Sequence, residues 1–183
     1  MPIFDHFSTI APLYARATYS KAELLSKLAA LPVHGRILDV GGGTGRVAAA
    51  ICELVDEVFI VDVSYGMLKE IQRTRFNPVR GGAETLPFQG NSFDRVIMVD
   101  AFHHVNDQAV SAQEMFRVLK PGGLLVIEEP DIRTFGVKLI ALAEKLLLMR
   151  SHFLTPKQII KLFSEGEKKI WEQDGSAWIV IKK

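Results

Sequence analysis

Apolar residues fall in short runs separated by amphipathic stretches, and the two alternate along most of the chain. Arg36–Val40 is an apolar run of strand length. Glycines follow it, then a helical pattern from about Arg46 to Val55. Val58–Val61 repeats the run, and Ser64 stands where it caps a helix that turns Met67, Leu68 and Ile71 inward. Val79 begins a short strand and Arg95–Val99 is another. A helix from about Gln108 to Leu119 is broken by Pro121-Gly122-Gly123, and Leu124–Ile127 is the fifth strand. Strands alternating with helices predict parallel βαβ units, an α/β fold with a doubly wound sheet.

The flanks differ in character. Ser20–Leu31 reads as a helix opened by a Ser20/Glu23 capping box, with Leu24, Leu25, Leu28 and Leu31 on its apolar face. Thr155-Pro156-Lys157-Gln158 combines an N-cap, a proline at the first helical position and a capping-box Gln, and that helix should stop near Gly166. Lys168–Gln173 and Ser176–Ile181 flank Asp174-Gly175, a favoured two-residue turn, so the chain should end in an antiparallel hairpin. Phe135–Met149 is apolar around most of its helical circumference. Lys138, Glu144 and Lys145 interrupt it, and it is short of the ~20 residues of a membrane span. Such a helix must be covered, by core, by a second subunit, or by serving as a lid over an apolar acceptor.

The length of 183 residues suggests one domain, 1–183. It divides into an N-terminal helical segment (1–35), a core (36–130), a second helical segment (131–167) and the hairpin (168–183). Lys plus Arg total 22 against 21 for Asp plus Glu, a net charge of +1, which gives no basic footprint for nucleic acid. The single cysteine, Cys52, excludes an internal disulfide framework and a cysteine-rich zinc site, and it fits a reducing cytoplasm. Met-Pro-Ile-Phe-Asp-His-Phe has no basic region before an apolar stretch, so no signal peptide is expected and the location expected is cytoplasmic.

Chemistry concentrates in Ile37-Leu38-Asp39-Val40-Gly41-Gly42-Gly43-Thr44-Gly45, between a predicted strand and a predicted helix. Glycines there permit a tight turn and let a ligand touch bare backbone, and the helix start supplies unpaired N–H groups. Asp62, at the end of the second strand, is placed to accept both hydroxyls of a ribose. Gly43-Thr44-Gly45-Arg46-Val47-Ala48 also fits a dinucleotide fingerprint, so this loop by itself leaves a nicotinamide enzyme open.

Further motifs follow in order: Val61-Asp62-Val63-Ser64 with Met67-Leu68, Gly82-Ala83-Glu84-Thr85-Leu86-Pro87-Phe88, Phe93-Asp94-Arg95-Val96 with Phe102-His103-His104-Val105, and Arg117-Val118-Leu119-Lys120-Pro121-Gly122-Gly123 with Leu124–Glu128. Together with the glycine loop they cover residues 37–129. In this order they resemble the class I S-adenosylmethionine-dependent methyltransferases, in particular the ubiquinone/menaquinone biosynthesis subgroup. The resemblance implies a Rossmann-like, mostly parallel seven-stranded sheet whose last strand is antiparallel. It implies S-adenosylmethionine as cofactor and transfer of its methyl group to a small acceptor. By the resemblance, Gly41, Gly43 and Gly45 line the methionine end of the cofactor. Asp39 sets the loop and helps hold the ammonium, and Asp62 holds the ribose hydroxyls. Val63 and Met67 pack on the adenine, and the Ala83 N–H reaches a ring nitrogen. The family often has an acidic residue or Asn where this chain has Gly82, so the partner of the adenine amino group stays open, with Glu84 its neighbour.

On the acceptor side, Asp100 follows the fourth strand at the end where cofactor and acceptor meet in parallel sheets. It is a candidate to orient an acceptor or take up a proton, against the plainer reading of a capping carboxylate. His103 is a candidate base beside it, against the plainer reading of the His103/His104 pair as one packed and one solvated ring. No Cys or Glu spacing around them suggests a metal site. Phe4, Phe7, Ile10, Leu13 and Tyr14 resemble the segment that lies over the cofactor in the quinone methyltransferases. Phe4, Phe7, Leu13 and Tyr14, with Leu142, Leu146 and Met149, are expected to form an apolar mouth. The competing functions are a dinucleotide-binding oxidoreductase, which leaves Gly82–Phe88 unexplained, and a non-catalytic S-adenosylmethionine-binding protein. A homodimer remains open.

Overall fold

The computed structural model describes residues 8, 11–12, 15, 18–71, 75–134, 137–138 and 151–183. In chain order the elements are α1 (Ala22–Leu28), β1 (Val33–Val40), α2 (Arg46–Ile51), β2 (Val55–Asp62), α3 (Tyr65–Lys69), β3 (Asn77–Arg80), β4 (Phe93–Val99), α4 (Gln108–Val118), β5 (Leu119–Pro130), α5 (Pro156–Lys161), β6 (Glu167–Gln173) and β7 (Ser176–Lys182). Single 3₁₀ turns lie at Cys52–Leu54 and Phe102–His104.

The strands form one seven-stranded sheet in the order β3-β2-β1-β4-β5-β7-β6. The first five pair in parallel, while β7 runs antiparallel to both β5 and β6. The central strands are apolar at consecutive positions because both faces are covered. On β4, Val96 and Met98 pack on one side with Met115 and Val118 of α4, and Ile97 packs on the other with Val47 and Ala48 of α2. Leu25 anchors α1 on that second side. Full burial of a leucine contributes about 1.5–3 kcal/mol.

The predicted hairpin is present. Asp174 and Gly175 both have positive φ, 50° and 75°, the geometry of a turn whose twist matches its strands. The Thr155/Gln158 capping box also forms, although α5 ends at Lys161, ahead of Gly166. The Ser20/Glu23 capping box does not form. Lys21 is the N-cap of α1 and makes no side-chain cap bond, since an ammonium has no lone pair to offer the free amides; it donates instead to Glu128 and Ser176. The helix expected over residues 135–149 lies almost wholly outside the described residues, as do Phe4, Phe7, Ile10, Leu13 and Tyr14. Among the described residues, no helix is long and apolar enough to cross a membrane.

Candidate functional site

The C-terminal ends of the parallel strands carry a row of carboxylates. Asp39 lies on β1, Asp62 ends β2, Asp100 follows β4, and Glu128 and Glu129 lie near the end of β5. Strand order 2-1-4 places β1 at the centre, where the connections diverge to opposite faces and a crevice opens. Asp39, Asp62, Asp100 and the glycine loop thus gather at one edge, as do Val63, Met67 and Gly82–Glu84 beyond β2 and β3.

Gly41, Gly43 and Gly45 all have left-handed φ, 69°, 56° and 79°, which an L side chain adopts only with strain. At Gly41 a Cβ would also sit 2.8 Å from the Ala101 Cβ, so glycine lets this loop meet the segment after β4. A Cβ at Gly42 would come within 2.6 Å of the Asp39 carboxylate. At Gly43 the nearest neighbours of a Cβ are Met67 Sδ at 3.8 Å and Asp62 Oδ2 at 3.9 Å, leaving bare backbone beside open space.

Asp62 organises this loop. Its Oδ2 accepts from the Gly43 amide at 2.9 Å and its Oδ1 from the Ser64 amide at 2.8 Å, while the Gly41 amide donates to the Val61 carbonyl at 2.7 Å. Ser64 caps α3 by accepting from the Met67 amide at 3.3 Å, which fixes Met67 against Gly43. Val63 stays 55% exposed beside it, unusual for a valine. Ala83 is buried, and the Glu84 Oε1 accepts from the Asn106 amide at 2.8 Å. Glu84 therefore ties its loop to the segment before α4. Glu114 and Arg117 of α4 hold the same loop through Leu86 and Phe88.

Asp39 is buried, and neither carboxylate oxygen accepts a well-formed hydrogen bond among the described residues, the Ala48 amide coming only close enough to oppose the rise of its carboxyl. Burial first, then the charge of Asp62, push its carboxyl up to about 7. A buried acceptor with nothing to accept is costly unless a donor arrives. Asp100 has φ 54° and is exposed at the crevice. The surrounding protein still removes much of its hydration and raises its carboxyl to about 6, with Glu129 and Glu128 adding to the rise and the His103 charge opposing it.

His103 is buried. Its Nδ1 lies 2.7 Å from Glu129 Oε2, and its ring stacks on Phe153 at 4.3 Å. The other Glu129 oxygen accepts from the amides of Ala101 and Phe102. His104 Nδ1 lies 3.2 Å from Ser151 Oγ, and burial followed by the His103 charge lowers its imidazole to about 3. Among the described residues no group of His, Cys, Asp and Glu is placed to hold a metal ion. At the N-terminal side, Ser8 Oγ lies 3.3 Å from Ser64 Oγ, so Ser8 reaches the start of α3.

Sequence pattern alone assigns no role to Glu129, Tyr19, Glu128 or Arg46, all four of which meet at this site in the fold. The signal for Glu128 and Glu129 was present: two adjacent acids at the end of a strand that is otherwise apolar.

A family model described as a methyltransferase domain matches residues 38–127, the span from the glycine loop through β5. The chain carries a methyltransferase domain. A demethylmenaquinone methyltransferase of Renibacterium salmoninarum is 41% identical over 103 residues, 55% of this chain and 44% of its own. A ubiquinone/menaquinone biosynthesis C-methyltransferase of Serratia proteamaculans is 37% identical over 133 residues, 67% of this chain and 51% of its own. The chain thus spans about half the length of the curated relatives it matches. In fold, this methyltransferase domain is similar to a Thermotoga maritima S-adenosylmethionine-dependent methyltransferase described as a possible histamine N-methyltransferase (TM-score 0.76, 24% identity, 97% of this chain and 98% of that one). A Pyrococcus horikoshii protein gives a TM-score of 0.79 at 20% identity, covering 98% of this chain and 99% of that one.

Proposed function

We propose that the protein transfers a methyl group from S-adenosylmethionine to a small, apolar acceptor, with residues 1–183 acting as one domain. The observation that carries this is the orphaned Asp39 carboxylate beside a loop of three left-handed glycines, itself tied to Asp62. Those residues fit the cofactor's amino-acid end, which brings an ammonium, and its ribose, which brings two hydroxyls. When bound, the cofactor supplies a methyl on a positive sulfonium that leaves as a neutral thioether.

The chain's own residues then bind and orient. Asp39 accepts from the ammonium, and Gly41, Gly43 and Gly45 offer backbone along the methionine end. Asp62 takes the ribose hydroxyls, while Val63 and Met67 pack on the adenine beside the Gly82–Glu84 backbone. Alignment of the acceptor with the carbon–sulfur bond supplies most of the rate. One proton leaves the acceptor for each methyl gained. Asp100, which follows β4, is the candidate to take it, a reading its raised carboxyl supports, and His103, held by Glu129, is the second candidate. The relatives that act in menaquinone and ubiquinone biosynthesis point to a quinone-type ring as the acceptor class.

Calorimetric titration with S-adenosylmethionine, S-adenosylhomocysteine and NAD tests the cofactor, and transfer of labelled methyl from S-adenosylmethionine to a panel of apolar quinols tests the acceptor. Both sulfur compounds should bind and raise the melting temperature by mass action. Tight NAD binding without either sulfur compound would return the protein to the oxidoreductases. Cofactor binding with no transfer to any apolar acceptor would remove the acceptor assignment alone.

A further inference from the structure

Arg46 follows Gly45 directly and opens α2, half-buried at the edge of the glycine loop. Its guanidinium lies 5.3 Å over the Tyr19 ring, and the Tyr19 hydroxyl donates to Glu128 at 2.6 Å. Among the described residues it forms no ion pair within 4 Å and no side-chain hydrogen bond. It is nonetheless set among acids, close enough to Asp39 and Asp100 to oppose the rise of both carboxyls. An arginine presents five N–H donors in a planar fork that matches a carboxylate. Here the guanidinium lies over the ring of Tyr19, and among the described residues no acceptor takes up its donors. Beside it lies Asp39, whose two buried oxygens accept no well-formed hydrogen bond among the described residues. One uncommitted cation and one uncommitted anion at the same loop are the complement of a zwitterionic α-amino acid.

We propose that Arg46 binds the α-carboxylate of S-adenosylmethionine while Asp39 takes its ammonium. The assignment rests on the cofactor reading above. Arg46 is a binding residue in it, and Tyr19, fixed by Glu128, is a positioning residue that keeps the guanidinium at the loop. The pair reads both charged ends of the amino acid, so nucleosides lacking either end should bind poorly.

The test compares S-adenosylmethionine with its decarboxylated analogue, which lacks only the carboxylate, by calorimetry on the wild-type protein and on Arg46→Met. The wild type should prefer the intact cofactor by about tenfold or more, the scale of a charge-assisted hydrogen bond. Arg46→Met should weaken the intact cofactor by a similar factor and leave the analogue within about twofold. Equal binding of the two compounds by the wild type, or equal weakening of both in Arg46→Met, overturns the assignment while the cofactor reading stands. A wild type that binds neither compound overturns both. Should Arg46→Met fail to fold, the wild-type preference decides alone.

Discussion

Glu129 and His103 form a buried carboxylate–imidazole pair, Oε2 to Nδ1 at 2.7 Å, with side chains 4% and 2% exposed. The same carboxylate closes the start of the Phe102–His104 turn through two backbone amides. One side chain on β5 therefore fixes both the path of the chain leaving β4 and the orientation of an imidazole.

Glu129→Ala should destabilise the protein by about 3–5 kcal/mol, because it strands His103 and two amides without an acceptor. Glu129→Gln, which keeps one accepting oxygen, should cost about 1–3 kcal/mol. Chemical denaturation of both variants measures the difference. Two equal, near-zero losses would show that the pair does not hold the turn.

Asp62→Ala should weaken S-adenosylmethionine binding by about tenfold or more, through lost hydrogen bonds to charged acceptor oxygens. The Gly43 and Ser64 amides lose their acceptor as well, so a smaller loss of melting temperature should accompany it. An unchanged dissociation constant in the folded variant would remove Asp62 from the ribose site.

Gly41→Ala and Gly43→Ala should separate structure from binding. Both impose a left-handed alanine, about 1–2 kcal/mol, but only Gly41→Ala also drives a Cβ to 2.8 Å from Ala101. Thermal unfolding should therefore show the larger loss at Gly41, while calorimetry should show cofactor binding lost at Gly43. The reverse order of stabilities would contradict the close approach at Gly41.

Asp39 makes stability depend on pH. Its carboxyl rises from 3.8 unfolded to about 7 folded, so the folded chain holds the proton more tightly. The resulting stability is fully present below pH 3.8 and is lost as pH rises through about 7, a swing on the order of 4 kcal/mol. Asp39→Asn should flatten that dependence of the ligand-free protein. In the wild type, cofactor affinity should climb as pH approaches about 7, since an ammonium favours the ionised carboxylate. A pH-independent melting curve shared by wild type and variant would refute the buried titration.

By itself the sequence determined the α/β alternation, the glycine loop, the Asp174-Gly175 turn and the Thr155/Gln158 box, because each depends on residues adjacent in the chain. The buried strands were legible as apolar runs because both sheet faces are covered, and Asp39, Asp62 and Asp100 were legible as acids at strand ends. What only the tertiary structure decided depends on partners far apart in sequence. Lys21, at the helix start that the Ser20/Glu23 spacing predicts as a capping box, donates instead to Glu128, 107 residues away. Glu84 is committed to Asn106 and Glu129 to His103, while Arg46 is held over the ring of Tyr19 with its donors left for a ligand. Local pattern records propensity and spacing. A carboxylate's partner is chosen by which strand ends the sheet order brings together, and that order is set by packing on both faces at once.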